Sequence, residues 1–420
     1  MFSSAGRTEP LPEDMQVVRA QPAVFKVIQS VDASIIYPQI SLKKPLITSP
    51  MYESPSVVED EAAKSSTTDK LGFCWEKILS DPEKYLDATP QTVTGSYGIA
   101  GSAFAVSSEG ILLTNAHVVA DPSKSKILNI FFEVWLRLAI DAISNALGGG
   151  PPTKYDKNEI GNDLLPWYVL HGDATGKVTQ IVVAINFGKM NLQELISSSS
   201  SSQEILQKMM NSGPITIPVK ILAIGEVFPG KDVAVIKMSE TVKDKLICLS
   251  LGDSDVVLHG SRIHALGFPG GAFTKDSMKA EAEFRVSAQP GEIVNTKPML
   301  GDWDAFEMTA EVNHGDSGGP VIDRNGNVVA LNVAGTDIPA HNLAVPVNLA
   351  KAFLKQAGIN ADPGSLSTHW MSGLNLFSQG QYAAAEKEFQ QIIDLQGGQE
   401  SKWTSPYVLD MQRLCAKSRH

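Results

Sequence analysis

Apolar and polar positions follow three different rhythms along this chain. From 215 to 350 the rhythm is short: apolar runs of a few residues alternate with Gly, Pro and Asn turns. Many short strands broken by turn signals predict a barrel or a sandwich. Within it "VIDRNGNVVALNV" predicts a hairpin, with positive φ at both Asn325 and Gly326. Two earlier stretches share the rhythm. The run 22–38, rich in β-branched residues, predicts a strand, and 98–119 predicts a hairpin around the turn Ser107–Gly110. Between them, 49–70 is polar and reads as a flexible excursion, followed by a short helix over 73–86. The segment 124–213 is less regular. It holds an apolar helix at 127–147, a strand at 177–188, a serine run at 197–202 and a short helix at 203–211. Glu133, Arg137 and Asp141 recur every fourth residue, which puts them on one face of the first helix. The rest of that helix is apolar and calls for packing against the main domain.

The last segment changes to a helical period. "HWMSGLNLFSQGQYAAAEKEFQQIIDL", 369–395, breaks at Gln379-Gly380 into two helices, with small Gly373 and Ala385 where helices approach. It resembles a tetratricopeptide repeat, and 405–418 reads as a helix that caps it. One such repeat does not bury its own apolar face, so it is expected to dock on the main domain or on another chain.

Composition narrows the function. With 420 residues the chain exceeds one typical domain, and its 43% hydrophobic content allows a sizeable core. A formal net charge of −11 speaks against nucleic acid and against anionic membrane surfaces. The apolar helix carries three charges, so it is not read as a membrane span. No signal peptide is legible at the N-terminus. Cys74, Cys248 and Cys415 are odd in number and far apart, which predicts free thiols. His259 and His264, five apart in a strand-like stretch, point to opposite faces, and no metal, nucleotide or dinucleotide motif is present. No cofactor is expected.

The chemistry gathers around "EVNHGDSGGPV", 311–321. A serine hydroxyl is a weak nucleophile. It needs a base, an orienting partner for that base, and donors for the oxyanion. Among the eight histidines, His117 has the most suitable setting, at the end of the apolar strand "ILLTNAHVVA". Asp232, opening the apolar strand in "GKDVAVIKM", is the first choice of carboxylate. Asp156, Asp163 and Asp173 are weaker choices in polar, loop-like sequence.

The order of "TNAHVV", "DVAVIK" and "GDSGGP" resembles the trypsin-like serine peptidases, and most of all their HtrA/Deg branch. The runs 251–271 and 342–354 resemble further stretches of that branch. Chance alone would place GDSGGP in such a chain with a probability on the order of 10⁻⁵. The resemblance implies a mainly β fold of two antiparallel six-stranded barrels over 17–358, preceded by a tail at 1–16. Helical insertions at about 38–97 and 124–213 and a small helical domain at 366–420 complete it. It implies a serine endopeptidase with His117 as base, Asp232 as its orienting partner and Ser317 as nucleophile. Backbone N–H groups of Gly315 and Ser317 would form the oxyanion hole.

The 115 residues between His117 and Asp232 exceed the family's usual spacing, and the insertion at 124–213 accounts for them. No PDZ-like segment follows, and the helical repeat stands in its place. Glu311, six residues before Ser317, occupies the place where trypsin selects basic side chains. Here it reads as a solvent-facing loop residue, and Leu343 is the expected pocket residue, favouring small or medium apolar side chains. His314 reads as an exposed rim residue. The expected partners are protein or peptide substrates, with self-association or partner binding through the C-terminal repeat. By resemblance the location is the cell envelope or outside the cell. The alternative is an inactive or autoinhibited protease fold that recruits partners through the repeat.

Overall fold

The computed structural model describes residues 11–43, 67–151, 153–186, 215–240, 242, 245–269, 285–334 and 341–418. The expected helix over 203–211, the serine run and most of 49–70 lie outside these. The chain forms two compact units. The first comprises residues 1–30, 97–120 and 178–420; the second comprises 31–96 and 121–177.

Helix α1 (Glu13–Ala20) leads into the first barrel. Its strands are β1 (Val24–Leu42), β2 (Leu86–Ser107), β3 (Ile111–Thr114), β4 (Asp173–Asn186), β5 (Ile215–Ile224) and β6 (Ala234–Met238). They close in the order β1-β2-β3-β6-β5-β4. The second barrel consists of β7 (Arg262–Gly267), β8 (Ser287–Met299), β9 (Trp303–Met308), β10 (Pro320–Asp323), β11 (Val328–Ala334) and β12 (Asn342–Pro346), closed as β10-β11-β12-β9-β8-β7. This is the mainly β, trypsin-like architecture expected from the sequence.

The runs "AFAV" and "ILL" are apolar throughout because both faces of these strands are buried. Ala103, Ala105 and Leu112 fill the first barrel with Val183, Ile217 and Ile236. Their neighbours Phe104, Val106 and Leu113 join a core that also holds Leu266, Leu331 and Val345 of the second barrel. A strand covered on both faces has no reason to alternate apolar with polar. The second barrel is filled by Ile263, Ile293, Phe306, Met308, Val321 and Ala344.

The turn between β10 and β11 differs from expectation. Gly326 has φ +74°, but Asn325 does not share the left-handed region. The connection is four residues long, and the Asp323 carboxylate accepts the N–H groups of Asn325 and Asn327 at 2.8 and 2.9 Å. That side chain supplies what a tighter, two-residue turn would otherwise require.

In the second unit, α2 (Thr67–Ser80), α3 (Lys124–Leu147) and α4 (Lys157–His171) accompany the outer ends of β1, β2 and β4. The buried side of α3 packs within this unit, where Trp135 meets Trp167 and Tyr168 of α4 and donates to Pro38 O at 2.7 Å. Helix α4 is absent from the sequence-based expectation. Its start is nevertheless encoded: Asp156 accepts from Glu159 N while Glu159 accepts from Asp156 N, a capping box. Glu133 of α3 pairs with Lys157 of α4. As an exposed ion pair it stabilises the unit by about 1 kcal/mol at most.

In the first unit β12 runs into α5 (Val347–Gln356), and α6 (Gly364–Ser378), α7 (Tyr382–Gln396) and α8 (Pro406–Lys417) follow. Gly373 of α6 sits under the ring of Phe389 of α7, where a Cβ would lie 2.4 Å from a ring carbon. The turn at Gly380 has φ +73°. These helices share the core of the barrels: Leu366, Trp370, Ile392 and Val408 belong to the cluster that contains Phe104 and Leu331. Trp370 Nε1 donates to Arg19 O at 3.0 Å, and Ser367 Oγ accepts Cys248 N–H at 2.8 Å.

Candidate active site

Strand β3 ends at Thr114, and the chain turns through Asn115 into a single helical turn, Ala116–Val119, that carries His117. The loop 225–231 returns to present Asp232 just before β6. Asp232 is fully buried. Its Oδ1 accepts His117 N–H at 2.9 Å, and its Oδ2 lies 2.5 Å from His117 Nδ1. Asn115 Nδ2 donates to Asp232 O at 2.7 Å. A buried carboxylate facing Nδ1 selects the tautomer with the proton on Nδ1 and the acceptor on Nε2. In "TNAH", therefore, Asn115 and His117 both hold Asp232, from its backbone and from its side chain.

Ser317 lies in a tight turn between Gly315 (φ +100°) and Gly318 (φ +85°). A side chain at Gly318 would place its Cβ 2.2 Å from Ser102 O, so both conformation and space demand glycine. Ser317 Oγ donates to Val333 O at 3.0 Å. Among the described residues the N–H groups of Gly315 and Ser317 have no protein acceptor.

The turn is held from the other barrel by Ser102 of β2, a residue that sequence reasoning passed over as one position in a hairpin. Its N–H donates to Ser317 O at 2.8 Å, and its Oγ donates to Gly315 O at 2.7 Å. The same Oγ accepts Phe268 N–H at 3.0 Å, and Thr114 Oγ1 donates to Ser102 O at 2.7 Å. Ser102 is fully buried. Ser102→Ala leaves Gly315 O and Phe268 N–H without partners, an expected loss of about 2–4 kcal/mol. Urea unfolding measures that loss.

The other expected residues fall in different settings. Glu311 and His314 are exposed. Leu343 is half-buried against the core common to both barrels, opposite Glu307 on β9 and Ala334 on β11. Glu307 is buried and bonded to His341 Nδ1 at 2.5 Å and Lys297 Nζ at 3.1 Å, and the His341 hydrogen bond holds its carboxyl below the usual range. The weaker carboxylate candidates are engaged elsewhere: Asp156 caps α4, Asp163 is exposed on α4, and Asp173 pairs with Lys124 at 3.3 Å.

Residues 167–331 match one family model, the trypsin-like peptidase domain. The range begins after His117 and includes Asp232 and Ser317. A probable periplasmic serine endoprotease, DegP-like, from Bartonella henselae is 32% identical over 132 residues, covering 30% of this chain and 23% of the relative. One of the same description from Brucella suis is 28% identical over 150 residues, 34% of this chain and 26% of the relative. The anti-sigma-I factor RsgI9 of Acetivibrio thermocellus is 30% identical over 126 residues, 30% of this chain and 16% of that protein. The chain thus spans about a quarter or less of the length of these relatives. Among solved structures, the HtrA-type protease AlgW with decapeptide has 18% identity and a TM-score of 0.39, covering 82% of this chain and 67% of that one. The matches to the peptidase domain and the DegP-like relatives support a serine protease. Among the described residues no helix is long and apolar enough to cross a membrane.

Proposed function

We propose that this protein is a serine endopeptidase that cleaves protein segments through Ser317, His117 and Asp232. The observation that carries the reading is the buried Asp232 carboxylate, engaged by both the backbone and the ring of His117. Ser317 Oγ leaves Val333 O and attacks the scissile carbonyl carbon, while His117 Nε2 takes its proton. The oxyanion is received by the N–H groups of Gly315 and Ser317. His117 then protonates the leaving amine, and water hydrolyses the acyl-enzyme by the same route reversed. Asp232 stabilises the imidazolium in each half-reaction.

Leu343 is the proposed pocket residue, with Glu311 and His314 at the rim. If Glu311 reaches the P1 side chain, Glu311→Ala reduces cleavage after Arg and Lys in a peptide library. An unchanged cleavage profile assigns it to solvent. Two relatives are named as periplasmic, which supports a location in the cell envelope.

The binding-module alternative is less well supported. Apolar faces of α6–α8 are already buried in the chain's own core, and the His117–Asp232 pair is intact. The deciding test is labelling by a fluorophosphonate, with the adduct located by peptide mapping. Wild type is expected to carry it on Ser317 and Ser317→Ala to carry none. Equal labelling of both, or of neither, sinks the peptidase reading.

A further inference from the structure

The mechanism above uses Gly315 and Ser317 but not the residue between them. Asp316 is 5% exposed, and its two oxygens are treated unequally. Oδ2 accepts Asn313 N–H at 2.9 Å, whereas buried Oδ1 has no hydrogen-bond partner among the described residues. Oδ1 is pressed against Gly267, where a Cβ would come within 2.6 Å of it. Among the described residues, the elements packed around it bring no cation. The end of β7 supplies Leu266, Gly267 and Phe268, β11 supplies Asn332, and β2 supplies Ser102. Asn332 spends its Nδ2 on Leu266 O and Asp316 O, and its own buried Oδ1 also has no partner. The ionisable groups of the same loop, Glu311 and His314, are exposed, and the His117 ring is engaged with Asp232. Among the described residues Asp316 has no ion-pair partner.

A carboxylate charge at this point is therefore poorly solvated and, among the described residues, uncompensated. It also stands one residue from each of the two proposed oxyanion donors. The turn has to stabilise one developing negative charge, and a second anion in the same low-dielectric site opposes it.

We propose that Asp316 is a proton-controlled positioning residue: the turn bears the oxyanion best when the Asp316 carboxyl is neutral, so its ionisation restrains the peptidase. Burial pushes this carboxyl up to about 6, with the Asn313 N–H acting in the opposite direction. The charge therefore appears as pH rises through the mildly acidic range. The folded-state pKa lies above the ordinary carboxylate value, so the native state holds the proton longer than the unfolded chain. Asp316 thus favours folding most below about pH 4, and that advantage is lost as pH rises to about 6.

The inference rests on the peptidase reading, and its test separates the two. The second-order rate of fluorophosphonate labelling is measured from pH 5 to pH 9 for wild type, Asp316→Asn and Asp316→Ser. The ratio of variant to wild type is taken at each pH, so that the pH dependence shared by the three proteins cancels. The Asp316→Asn ratio is expected to be near unity at pH 5 and to rise about tenfold by pH 8. A ratio that stays flat, or that falls with pH, overturns the proposal. Asp316→Ser gives the same reading should Asp316→Asn fail to fold. Urea unfolding supplies a readout that needs no catalysis: the stability gap between the neutral variant and wild type widens between about pH 4 and pH 6, then levels off. If no variant and no wild type is labelled at any pH, the peptidase reading fails, and a gap that does not widen overturns the buried-charge argument by itself.

Discussion

Casein turnover by Ser317→Ala is expected to fall by on the order of 10⁶-fold, with the fold intact. The loss is that large because, in the proposed mechanism, Ser317 supplies both the attacking atom and one of the two oxyanion donors, and the substitution removes the first outright. Asp232→Asn is expected to lose less, on the order of 10⁴-fold. Asparagine keeps the shape of the side chain. However, its amide presents a donor on one arm, where His117 N–H and His117 Nδ1–H now find two carboxylate oxygens. The ring is then driven to the tautomer with its proton on Nε2, where it blocks transfer from Ser317. Initial rates on labelled casein, with circular dichroism as a check on folding, decide both. Rates within tenfold of wild type for either variant would remove that residue from the mechanism.

Trp370→Ala is the second large effect, and it falls on stability. Trp370 is almost fully buried, 351 residues from the Arg19 carbonyl that its Nε1 reaches. Its ring packs against Phe389, with centroids 5.4 Å apart. Removing a buried indole costs about 3–5 kcal/mol through lost burial and the cavity left behind. That is a large fraction of the roughly 5–15 kcal/mol that holds a typical domain together. The cluster it belongs to continues through Phe104 and Leu331. The barrels and the helices are therefore expected to melt in one transition, lowered to the same midpoint whether followed by circular dichroism or by tryptophan fluorescence. Two separate transitions, with the barrels melting as in wild type, would mean that the C-terminal helices are an independent module.

Local chemistry was more legible in the sequence than long-range packing. "TNAHVV", "DVAVIK" and "GDSGGP" each concentrate several constraints in six residues: glycines that allow positive φ, a histidine at a strand end, a carboxylate before an apolar strand. Many short strands and turns announced a barrel or a sandwich, and the number of barrels came only from the resemblance that the three motifs carry. Ser102 was hidden because its role depends on a partner 213 residues away, and "GSAF" reads as an ordinary strand. Helix α4 was missed although Asp156 and Glu159 signal its start, because its apolar residues have no single face to count. The Asn325-Gly326 turn was misassigned because the side chain of Asp323, outside the dipeptide, decides the conformation. Asp316 was visible only as a letter of a motif. Its missing partner is a property of the packed structure.

The attachment of Ser102 to the Ser317 turn bears on inheritance. The geometry of Ser317 is set by a hydroxyl and an amide that belong to the opposite barrel. Neither barrel is a self-sufficient half. A chimera that takes its second barrel from a relative will work only where the donor's turn accepts the grip of residue 102, so the two halves travel as a matched pair.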